Sequence, residues 1–227
     1  MLDIKPEERV LDKGFLRLVD HLGDDSSVIQ AARVSIGKGL TNEKRDKALI
    51  DYLMENRHMS PFEHVIFKFH VKCPIFVARQ WIRHRTFSYN ELSRRYTHEN
   101  VELHLPEHLR LQDNSKNLQG SKFGTIENES KLIKMIEESG QKDCQLFQYL
   151  IDQGIANEVA REVLPLSLYT QYYVTGNMRN WFHFLSLRNT EHAQYEIRQY
   201  AIKIDENIQK IAPWSYEAFK KYGLKDD

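Results

Sequence analysis

Between Arg79 and Arg95 the chain gathers Arg79, Arg83, Arg85, Arg94, Arg95 and His84 within 17 positions, with Glu91 as the sole acid. Thr86, Ser88, Asn90 and Ser93 add hydroxyls and an amide to the same run. Planar guanidinium forks beside short polar side chains suit phosphate oxygens or pyrimidine carbonyls, because each fork donates two parallel hydrogen bonds. Phe76, Trp81, Phe87, Tyr89 and Tyr96 interleave with these charges. That pattern is compatible with a partly buried anion pocket and also with a solvated basic face paired to acids elsewhere. Composition alone leaves both readings open.

The elements that must position this run follow from period and punctuation. Val65, Phe67, Phe69, Val71 and Cys73 alternate with Lys68, His70 and Lys72, which predicts a half-buried strand over 65–73. Pro74 ends it and can open a helix. The segment PIFVARQWIRHR is then expected to run helically toward Arg85, with Val77, Trp81 and Ile82 inward and Arg79 and Arg83 on one face.

Upstream, 9–20 reads as one or two short strands broken at Gly14. Asp24, Asp25 and Ser26 offer caps for a helix through Ala32. From Asn42, Leu49, Ile50, Leu53 and Met54 share a helical face that ends before Pro61. Downstream, residues 98–124 are polar and weakly periodic and read as a long surface loop. A long helix is expected over 126–151, a short one over 156–164, and a strand over 168–175. Helices over 178–187, 191–211 and 213–222 close the chain. These elements predict a single α+β domain over 1–227, with a mixed or antiparallel sheet and a largely helical C-terminal half.

The chain has 32 Lys+Arg against 32 Asp+Glu, so any anion site must come from local concentration of arginine, and a nucleic-acid partner held by bulk charge is not expected. Cys73 and Cys144 form no CxxC spacing, the N-terminus is charged, and no apolar run approaches the roughly 20 residues of a membrane span. A soluble protein of a reducing cytoplasm is expected, with neither membrane nor metal. No P-loop or G-x-G-x-x-G fingerprint is present; Gly37 and Gly39 lack the remaining spacing.

Arg83-His84-Arg85, seven residues, then Ser93 has the R-H-R-x7-S form, and RQWIRHRTFSYNELSRRY around it resembles the flavin-dependent thymidylate synthase family almost position for position. HMSPFEH (58–64), EVAREVLPLSLYT (158–170) and the region 177–199 with LRNTEHAQ resemble family segments in the same order. The resemblance implies conversion of dUMP to dTMP, with methylenetetrahydrofolate as carbon donor, FAD as cofactor and NADPH as reductant. It also implies a homotetramer whose active sites are shared between subunits.

By similarity, Ser60, Arg83, His84, Arg85, Glu91, Asn177, Arg179 and His183 fall at flavin-contacting positions, with His58 near the flavin and folate side. Gln80, Arg83, Glu91, Leu92, Ser93, Arg94, Arg95, Arg161 and Arg188 fall at nucleotide positions. Arg188 matches the residue assigned to polarising the uracil ring. The sequence departs from the family at Arg94, where a small residue is common, at His183, where an amide is common, and at Ser60, which replaces threonine.

Several residues invite other readings. Ser93 has no His-Asp pair beside it, and its arginine neighbours stay protonated, so a nucleotide contact is favoured over a nucleophile. Cys73 is expected in the core. His104 and His108 have metal-like spacing, but Pro106 interrupts it, and surface histidines are expected. His192 and Gln194 read as packing behind the site, and Glu158 as the partner orienting Arg161. A non-enzymatic nucleotide- or RNA-binding module and a purely structural oligomer are the rival readings.

Overall fold

The computed structural model describes residues 6–113 and 120–223. The alternating segment forms β3 (Ile66–Pro74), whose odd-numbered Phe67, Phe69, Val71 and Cys73 are fully buried. β2 (Gly14–Leu22) pairs with one side of β3, and β1 (Glu8–Val10) continues beyond β2. β7 (Tyr169–Asn177) pairs with the other side, in register from Ile66↔Asn177 to Pro74↔Tyr169. β4 (Ser88–Glu91) completes the sheet on the far edge of β7. All pairings are antiparallel, in the order β1-β2-β3-β7-β4.

The apolar face of this sheet is covered by helices. α1 (Asp25–Arg33) starts at Asp24, whose carboxylate accepts from Ser26 N at 2.8 Å in a capping box with Ser27. α2 (Glu43–Glu55) starts at Asn42, which accepts from Arg45 N at 3.1 Å. α3 (Ile75–Trp81), α6 (Met178–Arg188), α7 (Tyr195–Ile211) and α8 (Pro213–Tyr222) complete the layer. Trp81, Trp181, Phe182, Tyr200 and Ile204 fill the space between helices and sheet. Burying a large apolar side chain is worth about 1.5–3 kcal/mol, which makes this layer the main stabilising term. The N-terminus of α8 has no cap in its own segment. Asp25 supplies one from α1, accepting from Trp214 N at 2.8 Å and Ser215 N at 2.9 Å.

α4 (Glu129–Asp152) and the short α5 (Asn157–Ala160) lie between the sheet strands in sequence. Only Gly140 and Phe147 of α4 are buried, while Leu132, Met135, Ile136, Leu146 and Tyr149 are exposed.

Four expectations are corrected. The helix after Pro74 stops at Trp81 instead of Arg85, because the His84 N–H turns back to Trp81 O at 2.9 Å and brings Phe87 into the core. Ile82 is accordingly 44% exposed. The last long helix begins at Tyr195, after a turn in which Ala193 N bonds Thr190 O. Residues 98–124 are not simply a loop. Leu103 bridges Leu168, Tyr169 N bonds Glu102 O, and β5 (Leu111–Asp113) pairs with β6 (Gly120–Lys122). These ties run through backbone groups, so side-chain period does not announce them. Positions 114–119 of that expected loop lie outside the described residues.

Candidate active site

The sequence-predicted residues fall into three groups, each fixed by different elements. The first joins the end of α3 to the end of α6. Arg188 is half-buried, and its Nε donates to His84 Nε2 at 3.1 Å while one terminal nitrogen points at Gln80 O at 3.5 Å. Burial pulls the Arg188 guanidinium below its ordinary range. His84 is buried among Phe184 (4.9 Å between ring centroids), Phe87 (6.3 Å) and His183 (5.8 Å). Burial, with Arg188 and His183 nearby, pushes the His84 imidazole down to about 4, so the ring is neutral near pH 7. Arg83 and Arg85 flank it and are exposed, and among the described residues neither has a carboxylate within ion-pair distance. A cleft of about 790 Å³ opens beside Gln80 and Arg188 and is also lined by His192 and Gln194.

The second group follows β4. Glu91 accepts from Thr170 Oγ1 at 2.6 Å, and Leu92 N bonds Gln171 O at 2.8 Å, so β7 sets the position of this segment. Ser93 Oγ accepts from Arg95 N at 3.3 Å. Arg95 and Arg161 meet at Glu158: its carboxylate lies 3.4 Å from Arg95 Nε, and its carbonyl accepts from Arg161 Nε at 3.4 Å. Glu158 therefore pairs its charge with Arg95, not with Arg161 as expected. The Arg94 side chain, expected at a nucleotide position, is instead buried. It donates to the carbonyls of Glu99 and Asn100, the latter at 3.0 Å, and staples the following loop.

The third group lies where the 3-10 turn Ser60–His64, which follows α2, meets α6. His58 follows the left-handed Arg57 (φ 55°) at the end of α2, and its exposed ring packs edge-on against Tyr52 at 5.9 Å. Ser60 is exposed, and Arg179 pairs with Glu63 at 2.5 Å. Asn177 caps α6, accepting from Asn180 N at 3.0 Å, and Asn180 in turn donates to Thr86 O at 3.1 Å. This chain of contacts ties the first group to the third.

The family model described as thymidylate synthase complementing protein matches residues 17–214. The flavin-dependent thymidylate synthase of Thermosipho africanus is 48% identical over 221 residues, 97% of each chain. That of Kosmotoga olearia is 50% identical over 222 residues, covering 97% of this chain and 96% of the relative. This chain belongs to the flavin-dependent thymidylate synthase family. Its fold also matches the solved structure of the UMP/dUMP methylase PolB from Streptomyces cacaoi bound with 5-Br dUMP. That match has a TM-score of 0.86 and 34% identity and covers 95% of this chain and 98% of that one.

Cys73 is not placed to attack a base. Cys73 is fully buried on β3 with Sγ 3.5 Å from Tyr172 Oη, and burial pushes its thiol up to about 12. It is the core residue its strand position predicted. His104 corrects the expectation of two surface histidines: it is buried, and its Nδ1 lies 2.5 Å from Asp12, which also accepts from Tyr169 Oη at 2.6 Å. His108 is exposed as expected. Gln194, expected to pack behind the site, lines the cleft, bonds the Gln80 side chain and donates to Glu196 at 2.8 Å. Arg110 joins the same network through Glu196 at 2.5 Å. Sequence reasoning missed Arg110 because it sits in the weakly periodic stretch and its partner is 86 positions away.

Proposed function

We propose that this chain catalyses the reductive methylation of dUMP to dTMP, with methylenetetrahydrofolate donating the carbon and FAD, reduced by NADPH, as hydride source. The family and the nucleotide named for the PolB structure support the substrate. The observation that carries the reading is Arg188: a half-buried guanidinium, held by an imidazole and facing a cleft, with no carboxylate within ion-pair distance of it among the described residues.

C5 of uracil is a poor nucleophile, and its attack on a one-carbon unit moves negative charge onto the ring carbonyls. A fixed guanidinium beside that edge lowers the barrier because it need not reorganise as the charge appears. Gln80 offers an amide to the base. Arg95 and Arg161, with the Ser93 hydroxyl and the backbone N–H groups of Ser93 and Arg94, provide the monophosphate donors. Arg94 serves through its backbone and through holding that loop.

The donor set fits FAD. Arg83 and Arg85 are exposed cations with no carboxylate in ion-pair distance among the described residues, as a dinucleotide diphosphate requires, and Ser60, His58, Arg179 and the amide nitrogen of Asn177 supply further polar contacts. When bound, FAD supplies the hydride that completes the methyl group. His183 and Glu91, both exposed, are assigned to the same ligand.

We further assign a homotetramer with shared sites and a cytoplasmic location. The exposed apolar residues of α4 support association of copies, and the two free thiols suit a reducing compartment. Among the described residues no helix is long and apolar enough to cross a membrane.

The test is dTMP formation from dUMP, methylenetetrahydrofolate and NADPH by FAD-loaded protein. Arg188→Ala is expected to lower kcat by about 10²–10³ with the fold intact by circular dichroism. Absence of dTMP with the wild type, or full turnover by Arg188→Ala, would overturn the assignment.

A further inference from the structure

We propose that His84 is the positioning residue for Arg188, holding the guanidinium through the lone pair on Nε2 without drawing down its charge. The inference rests on the assignment of Arg188 to the uracil edge.

An arginine side chain has many rotamers, and a charge-stabilising donor is effective only if that freedom is removed beforehand. The usual way to fix an arginine is a carboxylate, which would also neutralise the positive field the reaction needs. Here the fixing group is an imidazole. Arg188 Nε–H donates to His84 Nε2 at 3.1 Å, which requires Nε2 unprotonated and places the ring proton on Nδ1. The imidazole is itself held rigidly. Phe87 and Phe184 pack against it, and the backbone that carries it is anchored: the His84 main-chain N–H bonds Trp81 O at 2.9 Å, and the His84 main-chain carbonyl accepts from Tyr89 Oη at 3.1 Å.

Protonation would remove the acceptor and set two cations face to face. The titratable groups facing the ring are Arg188 and His183 from α6, and Tyr89 from β4 bonds the main-chain carbonyl behind it. The first two oppose protonation, and burial does so most strongly, in keeping with the depressed imidazole. His84 thus links the R-H-R motif to an arginine 104 positions away.

Four variants test this: His84→Leu, which removes the acceptor; His84→Gln, whose amide oxygen can stand where Nε2 does; Arg188→Ala; and the double variant His84→Leu/Arg188→Ala. FAD affinity is measured for each by fluorescence titration, and kcat is taken at saturating FAD and dUMP. We expect His84→Leu to lose about 10- to 100-fold in kcat, the scale of a misplaced catalytic group, and His84→Gln to recover most of it. The double variant should be no slower than Arg188→Ala alone, because both act through one guanidinium. In the unliganded protein, the Arg188 Nε–H, observed by nitrogen-15 NMR and assigned with the Arg188→Ala spectrum, should exchange slowly in wild type and His84→Gln and rapidly in His84→Leu. It should also become rapid in wild type, but not in His84→Gln, as pH falls toward 4.

Additive losses in the double variant, or an Arg188 Nε–H unaffected by His84→Leu, would overturn the proposal. If Arg188→Ala keeps full turnover, the assignment of Arg188 fails instead, and the exchange measurement still decides whether His84 holds it.

Discussion

Gly176 lies in β7 directly beneath Phe87, and replacing its hydrogen by a methyl group should disturb both stability and site. A Cβ at Gly176 would stand 2.1 Å from Phe87 Cδ1 and 2.3 Å from Cε1, whereas ordinary contact begins at 3.4 Å. The ring must therefore retreat by 3.4 − 2.1 = 1.3 Å. It cannot move deeper, because Trp181 is already packed 4.3 Å away, centroid to centroid. It must move outward, carrying the turn that presents Arg83, His84 and Arg85. Overpacking of this kind costs about 1–3 kcal/mol. For a chain of this size each kcal/mol lowers Tm by about 2–4 °C, so Gly176→Ala should melt about 2–12 °C lower. FAD affinity should weaken as well, by about tenfold, because a displacement near 1 Å spoils preorganised contacts. Thermal melts and flavin fluorescence titration read the two effects. Shortening the ring tests the cause: Phe87→Leu placed in the Gly176→Ala background should cost less than the two changes made separately. A Gly176→Ala protein with unchanged Tm and flavin affinity, or a cycle in which the two substitutions simply add, would refute the steric account.

Asp25→Ala leaves the Trp214 and Ser215 N–H groups at the start of α8 without a partner, and should destabilise by about 2–4 kcal/mol in urea titrations while turnover of the folded protein is kept. Stability should also fall in acid through Asp12. Burial raises this carboxyl, but hydrogen bonds from His104, Tyr169 and Leu105 N outweigh it and hold it down to about 2 against 3.8 unfolded. A depressed carboxyl contributes stability that is present above 3.8 and lost as pH falls toward 2, so Tm should drop through that window, and less so in Tyr169→Phe. The Cys73 thiol should resist alkylation until the protein unfolds, and Cys73→Ala should retain turnover within a few-fold; a folded but inactive Cys73→Ala enzyme would exclude the assigned chemistry.

Local pattern made much of this molecule readable in advance. The two-residue period over 65–73 places Phe67, Phe69, Val71 and Cys73 on the core face whatever they pack against, because strand geometry sends alternate side chains to opposite sides. Asp24, Asn42 and Asn177 mark helix starts by the same local logic, since a cap bonds backbone two or three residues ahead. The family was legible in R-H-R-x7-S and the segments around it. What the tertiary structure decided are pairings across long separations. His84 meets Arg188 because β7 and α6 return the chain to the end of α3, and no period in either segment encodes that return. Arg94 turns inward to backbone carbonyls, a choice made by the loop that follows it. His104 is buried because Asp12 and Tyr169 converge on it from opposite ends of the sheet's sequence. Charge and hydrogen-bond capacity belong to each residue type. Which partner uses that capacity is set by the topology that brings distant segments within 3 Å or so of each other.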